Sequence, residues 1–485
     1  MSARTIENLI GGDWTGARSG TTRTRLNPAD TDEAVVTYPA MDAEDAEVAL
    51  QAASAAARDW GRAGPYARGR VLLDAAVILR ERTEEIARDV SAENGKTLAE
   101  ARGECGAAAN FFEYYGGLGR APHGSRLPDA RPGVETVTRR EPLGVVTLIT
   151  PWNDPLATPA RKLGPALLAG NAVVLKPAGE TPLSAWHLAR ALDDAGAPAG
   201  ILNVVTGPSS VVGPPLLLDE RVRAVSFTGS NEVGRELSRQ LAGRSTRLQA
   251  ELGGKNAALV LEDADIDLAI STVTAAACAQ AGQRCTATSR VIVADAIARE
   301  FVERLIERVG GLQVGAGNAE GTDVGPLVTD SHREFVESAI SRAVDDGARL
   351  AVGGRRPEGA ALARGHFLTP AVLTGVKTDT ALWREEIFAA VIAVATVGTF
   401  DEGLALVNDS PFGLSASLFT RDLAAAQRFA GEVDTGQVAV NLPTAGWDAH
   451  IPFGGFGESG SPFKEHGLEG LAFYTRVKSV AMRAQ

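Results

Sequence analysis

Cys285 stands in Gln283-Arg284-Cys285-Thr286, just after a glycine and just before an apolar run. A cysteine thiolate attacks electron-poor carbon when a nearby charge or base helps take its proton. The alternative is a small inert core residue, since free cysteine packs as a hydrophobe. Cys105 and Cys278 lie in helical runs and fit that alternative. Glu251 opens Glu251-Leu252-Gly253-Gly254-Lys255-Asn256, a glycine-rich break. A carboxylate there is either a general base at a cleft between domains or a surface residue before a loop. Asp154 and Arg161 are seven residues apart, so on a helix they share a face. A guanidinium fork on that face matches a carboxylate ligand. Asp154 could instead pair with Arg161 and cancel its charge.

A second group suggests phosphate or ribose binding. Phe227-Thr228-Gly229-Ser230 runs from an apolar stretch into a glycine turn, and Asn231-Glu232-Val233-Gly234 opens a helix. Glycine lets the backbone approach a pyrophosphate, and a helix N-terminus offers free N–H groups and a favourable dipole. A plain strand-to-helix turn is the other reading. The spacing is not the G-x-G-x-x-G fingerprint. Asn94-Gly95-Lys96-Thr97 looks locally like a Walker A loop, but Val90 stands where that loop needs glycine. Lys176 ends the run Ala172–Lys176 and either meets a ribose or phosphate or is a solvated strand-end charge.

These residues need a scaffold that presents them together. The chain has 485 residues, more than one hydrophobic core sustains, so at least two domains are expected. Net charge is −12 with a pI near 5.2, and no long basic run is present, which disfavours nucleic-acid binding. No signal-like or membrane-length apolar segment occurs, and three cysteines do not make a disulfide framework. A cytoplasmic location is expected. Ala-rich or periodic helices are predicted over 43–61 and 66–118. Short apolar strands are predicted at Gly144–Thr150, Ala172–Lys176, Ile201–Thr206 and Ala224–Thr228, with helices at 157–169, 183–195, near 212–220 and at 231–242. Strands alternating with helices imply a doubly wound α/β domain that binds ligands beyond the carboxyl ends of its strands. A second α/β unit follows, with strands Lys255–Leu261, Val291–Ala294, Ala390–Val397, Ala416–Phe419 and Gly436–Val440, and helices Ile266–Ala281 and Ala298–Gly310.

Taken in order, the motifs resemble the aldehyde dehydrogenase superfamily over essentially the whole chain. Pro151-Trp152-Asn153, Gly170-Asn171 to Lys176-Pro177, Phe227-Thr228-Gly229-Ser230, Glu251-Leu252-Gly253-Gly254, Gly282-Gln283-Arg284-Cys285, Glu385-Glu386-Ile387-Phe388 and Pro452-Phe453-Gly454-Gly455 carry the resemblance. It implies that Cys285 attacks an aldehyde while the Asn153 amide and the Cys285 N–H hold the oxyanion. A hydride then leaves for a nicotinamide, and Glu251 activates water to hydrolyse the thioester. NAD or NADP would be held by Thr150, Pro151, Trp152, Lys176, Gly179, Glu180, Phe227, Thr228, Gly229, Ser230, Val233, Leu252, Glu386 and Phe388. No metal is implied.

Departures from the family pattern matter. Gly179 stands where NAD-using relatives often carry Glu, with Glu180 one place later, which leans the reading toward NADP. Ala389-Ala390 replaces a common Gly-Pro, and Gly457 a frequent lysine. The resemblance places Asp154, Arg161, Arg284, Thr286, Trp447 and Phe453 at the aldehyde site. Arg161 sits where semialdehyde dehydrogenases bind a distal carboxylate, and the loop Asn441–His450 resembles that of 2-oxoglutarate semialdehyde dehydrogenases. The expected substrate is 2-oxoglutarate or succinate semialdehyde, with neutral or aromatic aldehydes as the alternative. A CoA-acylating relative, a cofactor-free cysteine hydrolase or a non-catalytic protein on the same fold are further alternatives. The resemblance implies an α/β, aldehyde dehydrogenase-like fold. A Rossmann-type cofactor domain (1–123 and 143–252) joins an α/β catalytic domain (253–465) and a small β oligomerisation element (124–142 and 466–485). A homodimer or homotetramer is expected.

Overall fold

The computed structural model describes residues 4–483 except 122 and 361. Those parts of the expected domains that fall at 1–3, 122, 361 and 484–485 lie outside the described residues. The N-terminal α/β layer is a five-stranded sheet of β1 (Val145–Ile149), β2 (Ala172–Lys176), β3 (Leu202–Val204), β4 (Val222–Thr228) and β5 (Arg247–Glu251). The order is β3-β2-β1-β4-β5, with every pair parallel. Alternate residues of each strand feed opposite cores. Val146, Leu148, Val173 and Leu175 pack with helices Pro65–Glu81, Leu98–Gly117, Ala157–Ala169 and Pro182–Asp194. Val145, Ala172, Val174, Val225 and Phe227 pack against Ala43–Arg62, Ser209–Leu218 and Asn231–Leu241. Burial on both faces explains why these strands read as unbroken apolar runs.

The second layer holds β6 (Asn256–Val260), β7 (Thr288–Ala294), β8 (Arg349–Val352), β9 (Ala371–Thr374), β10 (Val391–Val397), β11 (Ser415–Phe419) and β12 (Gln437–Val440). Its order is β8-β9-β10-β7-β6-β11-β12, parallel except for β8. Val134–Pro142 and Thr475–Arg483 pair with each other, antiparallel, over nine residue pairs within the chain. Of the expected element 466–485, Gly467–Phe473 is a helix and the strand starts at Thr475.

Two helices differ from expectation. The stretch 66–118 is three helices, Pro65–Glu81, Thr83–Asn94 and Leu98–Gly117. The second break falls at Gly95, which takes φ +97°. Its Cβ would meet Pro326 Cγ at 2.7 Å and Pro28 Cγ at 3.0 Å. Thr97 and Glu100 then start the next helix with a reciprocal capping box. Ile266–Ala281 stops at Cys278, for reasons that lie in the nucleophile loop.

Candidate active site

In register, Phe227 faces Ile149, Ile149 faces Lys176 and Thr228 faces Glu251, so the carboxyl ends of β1, β2, β4 and β5 form one edge. Strand order reverses between β1 and β4, the switch point where such sheets bind ligands. Beyond it lies a cavity of about 220 Å³ that gathers ten of the expected cofactor and catalytic residues, Cys285 among them. Pro151, Trp152 and Asn153 come from the β1 loop; Thr228, Gly229 and Ser230 from the β4 turn; Leu252 from the β5 end; and Glu386 and Phe388 from the second layer. Thr150 and Thr228 carry buried hydroxyls with no hydrogen-bond partner among the described residues. A Cβ on Gly229 would meet the Phe227 ring at 2.5 Å. Ser230 caps the helix Asn231–Leu241 by accepting the Val233 N–H at 3.4 Å.

Lys176, Gly179, Glu180 and Val233 lie further along the edge, outside that cavity. Among the described residues the Lys176 ammonium donates only to Pro177 O, at 3.1 Å, and burial lowers its pKa against the opposing charge of Glu180. Phe227 is a correction. Its ring is buried in the core and packs beneath Gly229, so it supports the turn and does not line the cavity.

A second cavity, about 660 Å³, gathers all six expected substrate residues, Asp154, Arg161, Arg284, Thr286, Trp447 and Phe453. Cys285, Asp154 and Arg161 line both cavities. The thiol therefore sits where a molecule in one space can meet a molecule in the other. Cys285 is partly accessible, from these cavities. Its surroundings are nonetheless apolar enough that burial pushes the thiol up to about 12, opposed by the Arg161 charge.

The nucleophile loop is held by its neighbours. Gln280, Ala281 and Gly282 take φ of 53°, 56° and 72°, three consecutive left-handed residues that end the preceding helix. Glu100 Oε1 accepts the Gln280 N–H at 2.6 Å. A Cβ on Gly282 would collide with the backbone of Ala389 and Ala390, so only glycine fits. Ala390 donates its N–H to Ala281 O at 2.8 Å, a bond that proline at this position could not make. Asn256 Nδ2 donates to Cys285 O at 2.8 Å and to Ala287 O at 2.9 Å, and Thr444 Oγ1 to Thr286 O at 2.7 Å.

Glu251 is 2% exposed and neither carboxylate oxygen has a partner among the described residues. Burial first, then the negative charge of Glu465, raises its pKa well above the carboxylate range. Gly454, at φ +146°, leaves room for it, since a Cβ there would meet Glu251 Oε1 at 2.5 Å. Lys464 donates to Gly454 O at 2.7 Å and Gly455 O at 2.6 Å, which fixes that turn. Glu386 accepts the Gly254 N–H at 2.9 Å, and burial raises it to about 7.

Arg161 does not pair with Asp154. Its Nε lies 2.6 Å from Glu465 Oε2, and Glu465 also bonds Lys162. Burial opposes ionisation of Glu465, and the two cations overcome it. Removing the Glu465 carboxylate would leave two buried cations uncompensated, a loss of about 3–5 kcal/mol. Arg161 also lies 5.1 Å over the Phe453 ring. Asp154 instead accepts from Gln280 Nε2 at 2.9 Å and lies 3.7 Å from Lys96 and 4.0 Å from Arg284. Burial would raise its pKa, but Arg284 and then Lys96 bring it down to about 2. Glu465 escaped the sequence reading. Its signal is the adjacent opposite charges Lys464-Glu465 just ahead of the run Gly467–Phe473.

Arg284 Nε and Trp447 Nε1 are buried N–H donors on the larger cavity with no hydrogen-bond partner among the described residues. The two chambers thus offer the Cys285 thiol, the Glu386 carboxyl group, the Asn153 amide and unmatched donors, while Glu251 lies buried behind them and lines neither. Among the described residues, no helix is long and apolar enough to cross a membrane.

Known proteins carry the same architecture. A model described as the aldehyde dehydrogenase family matches residues 14–480. The chain is 43% identical over 475 residues to an alpha-ketoglutarate semialdehyde dehydrogenase of Haloferax volcanii, covering 98% of each chain. It is 38% identical over 479 residues to an alpha-ketoglutaric semialdehyde dehydrogenase of Bacillus subtilis, covering 99% of this chain and 98% of that one. A betaine aldehyde dehydrogenase of Staphylococcus aureus, solved in complex with NAD+, matches at TM-score 0.96 and 34% identity, over 99% of this chain and 95% of that one. The chain belongs to the aldehyde dehydrogenase family.

Proposed function

We propose that this chain oxidises a small carboxylated aldehyde, 2-oxoglutarate semialdehyde or its succinate analogue, to the acid with NAD(P). The observation that carries the reading is Cys285 on the wall shared by two cavities, one suited to a dinucleotide and the other lined by guanidinium groups. The groups at the smaller cavity and along the adjoining strand edge support this reading. Unpartnered Thr150 and Thr228 hydroxyls, the side-chain-free turn at Gly229 and the start of the helix Asn231–Leu241 all favour a pyrophosphate. Trp152, Leu252, Glu386 and Phe388 would flank the nicotinamide half. The bound dinucleotide supplies the hydride acceptor.

The chain's own groups do the rest. Arg161 and Arg284 favour the Cys285 thiolate, which adds to the aldehyde carbon. Asn153 and the Cys285 N–H stabilise the oxyanion. Loss of hydride leaves a thioester on Cys285, and Glu251 takes a proton from the water that hydrolyses it. The distal carboxylate binds Arg284 and the Trp447 N–H, whose donors are otherwise unsatisfied. Arg161, already answered by Glu465, adds field rather than the main fork. The names of the Haloferax and Bacillus relatives support the substrate class. Neutral aldehydes are the second reading, favoured by that same Arg161–Glu465 pair.

Initial rates with 2-oxoglutarate semialdehyde, succinate semialdehyde, butanal and benzaldehyde test this choice. We expect the carboxylated aldehydes to lead by tenfold or more in kcat/KM, about 1.4 kcal/mol. Arg284→Ala should erase that lead, because it lowers kcat/KM for the carboxylated aldehydes about tenfold more than for butanal. A lead for butanal or benzaldehyde in the wild type sinks the carboxylate reading.

NADP is the proposed preference. A Cβ on Gly179 would stand 3.4 Å from the Tyr38 hydroxyl, so glycine keeps the ribose corner open, and Lys176 has donors to spare. Glu180 opposes this preference. The ratio of kcat/KM with NADP to that with NAD decides it, and a clear excess for NAD overturns the preference. We also propose that 124–142 and 466–485 form an oligomerisation element in a homodimer or homotetramer. The outer edge of Thr475–Arg483 has no strand beside it among the described residues, and edge strands readily pair with another copy.

A further inference from the structure

The loop that carries Asn153 is held from outside by side chains of the segment 94–104. Asn94 Nδ2 donates to Trp152 O at 2.7 Å. Lys96 Nζ donates to Asn153 O at 2.8 Å and to Glu104 Oε2 at 2.5 Å, and lies 3.7 Å from Asp154 Oδ1. Two of the three ammonium donors are used in these hydrogen bonds, and Asp154 adds an opposite charge nearby. Glu104 Oε1 accepts the Leu156 and Ala157 N–H groups at 2.7 and 3.0 Å. The helix Ala157–Ala169 has no side-chain cap of its own at Leu156, so Glu104 satisfies its first amides from another element. The Lys96 side chain is fully buried and that of Glu104 is 3% exposed.

We infer that Lys96, with Asn94 and Glu104, is a positioning device for the oxyanion-holding amide. The carbonyls of the two peptides that flank the Asn153 Cα are both pinned, which fixes where the Asn153 side chain departs from the backbone. That amide then needs no protein acceptor of its own and stays free for the oxyanion. The tight turn at Gly95 brings Asn94 and Lys96 to the same side of the loop, so the Asn94-Gly95-Lys96-Thr97 motif serves as a buckle and not as a phosphate cradle. A buried charge pair rigidifies such a junction more than neutral bonds would. The inference rests on the reading that Asn153 holds the oxyanion.

The test is a double-mutant cycle read by kcat, aldehyde KM and the rate of Cys285 alkylation by iodoacetamide. Asn153→Ala alone should lower kcat by about 10²-fold or more. Lys96→Met should lower kcat at least tenfold with aldehyde KM and alkylation rate little changed, and should cost nothing further in the Asn153→Ala background. Asn94→Ala, which orphans no buried charge, should give a smaller loss with the same non-additivity, and it carries the test if Lys96→Met does not fold. Full activity of Asn153→Ala would overturn the oxyanion reading. An impaired Asn153→Ala combined with additive losses, or with slowed alkylation in the buckle variants, would overturn the positioning role alone.

Discussion

Cys285→Ala is expected to leave a folded protein that reduces no nicotinamide above background, a loss of at least about 10⁴-fold. The side chain lost is small and partly accessible, so packing changes little. The loop is held by bonds to its backbone and neighbours, from Asn256, Thr444 and Glu100, and those survive the substitution. A stable fold with no turnover isolates the thiol as the reacting group. Turnover near the wild-type rate would mean that the two cavities meet at Cys285 for some other reason. Cys105 and Cys278 offer no substitute: both are buried, and neither lines either cavity.

Glu251→Gln should separate the two halves of the reaction. Steady-state turnover should fall about 10²–10⁴-fold, the usual contribution of a general base. A rapid burst of reduced cofactor, stoichiometric with subunits, should remain, because acylation uses Cys285 and Asn153. The pH dependence follows from the direction of the shift. A carboxyl group held well above its ordinary pKa by burial and by Glu465 acts as a base only once pH rises through that raised value. Wild-type kcat should therefore climb from neutral to alkaline pH, and Glu251→Gln should lose that limb. The burst rate should also climb, since the Cys285 thiol is raised too. The two apparent values belong to the coupled set of Cys285, Glu251, Arg161 and Glu465 and not to single residues. A flat kcat profile in the wild type would remove Glu251 from the role of base.

Much of the scaffold was legible in sequence because both sheets are buried on two faces. Continuous runs such as Ala172–Lys176 mark such strands directly; motifs at carboxyl ends located Glu251, Asn153 and the turn at Gly229, and the motif ahead of Thr288–Ala294 located Cys285. What escaped depends on contacts between distant segments. The Ala-rich run before Cys285 reads as helix through Ala281, yet Glu100 takes the Gln280 amide and Ala389–Ala390 crowd Gly282, so three residues turn left-handed. The capping box at Thr97 and Glu100 was a readable signal for the break in 66–118, masked by uninterrupted helical periodicity on both sides. Arg161 was legible as a cation on the site, but its partner was not. Glu465 lies in a segment with no periodicity that points to the helix Ala157–Ala169.

The central claim is a thioester on Cys285 that Glu251 helps to hydrolyse. The most direct measurement is the mass of Glu251→Gln, quenched after a single turnover with 2-oxoglutarate semialdehyde and NADP and digested to peptides. We predict an acyl group on the peptide that contains Cys285, present in most subunits and absent when the cofactor is omitted. A burst of reduced cofactor without that adduct, or with the acyl group on another residue, would contradict the account.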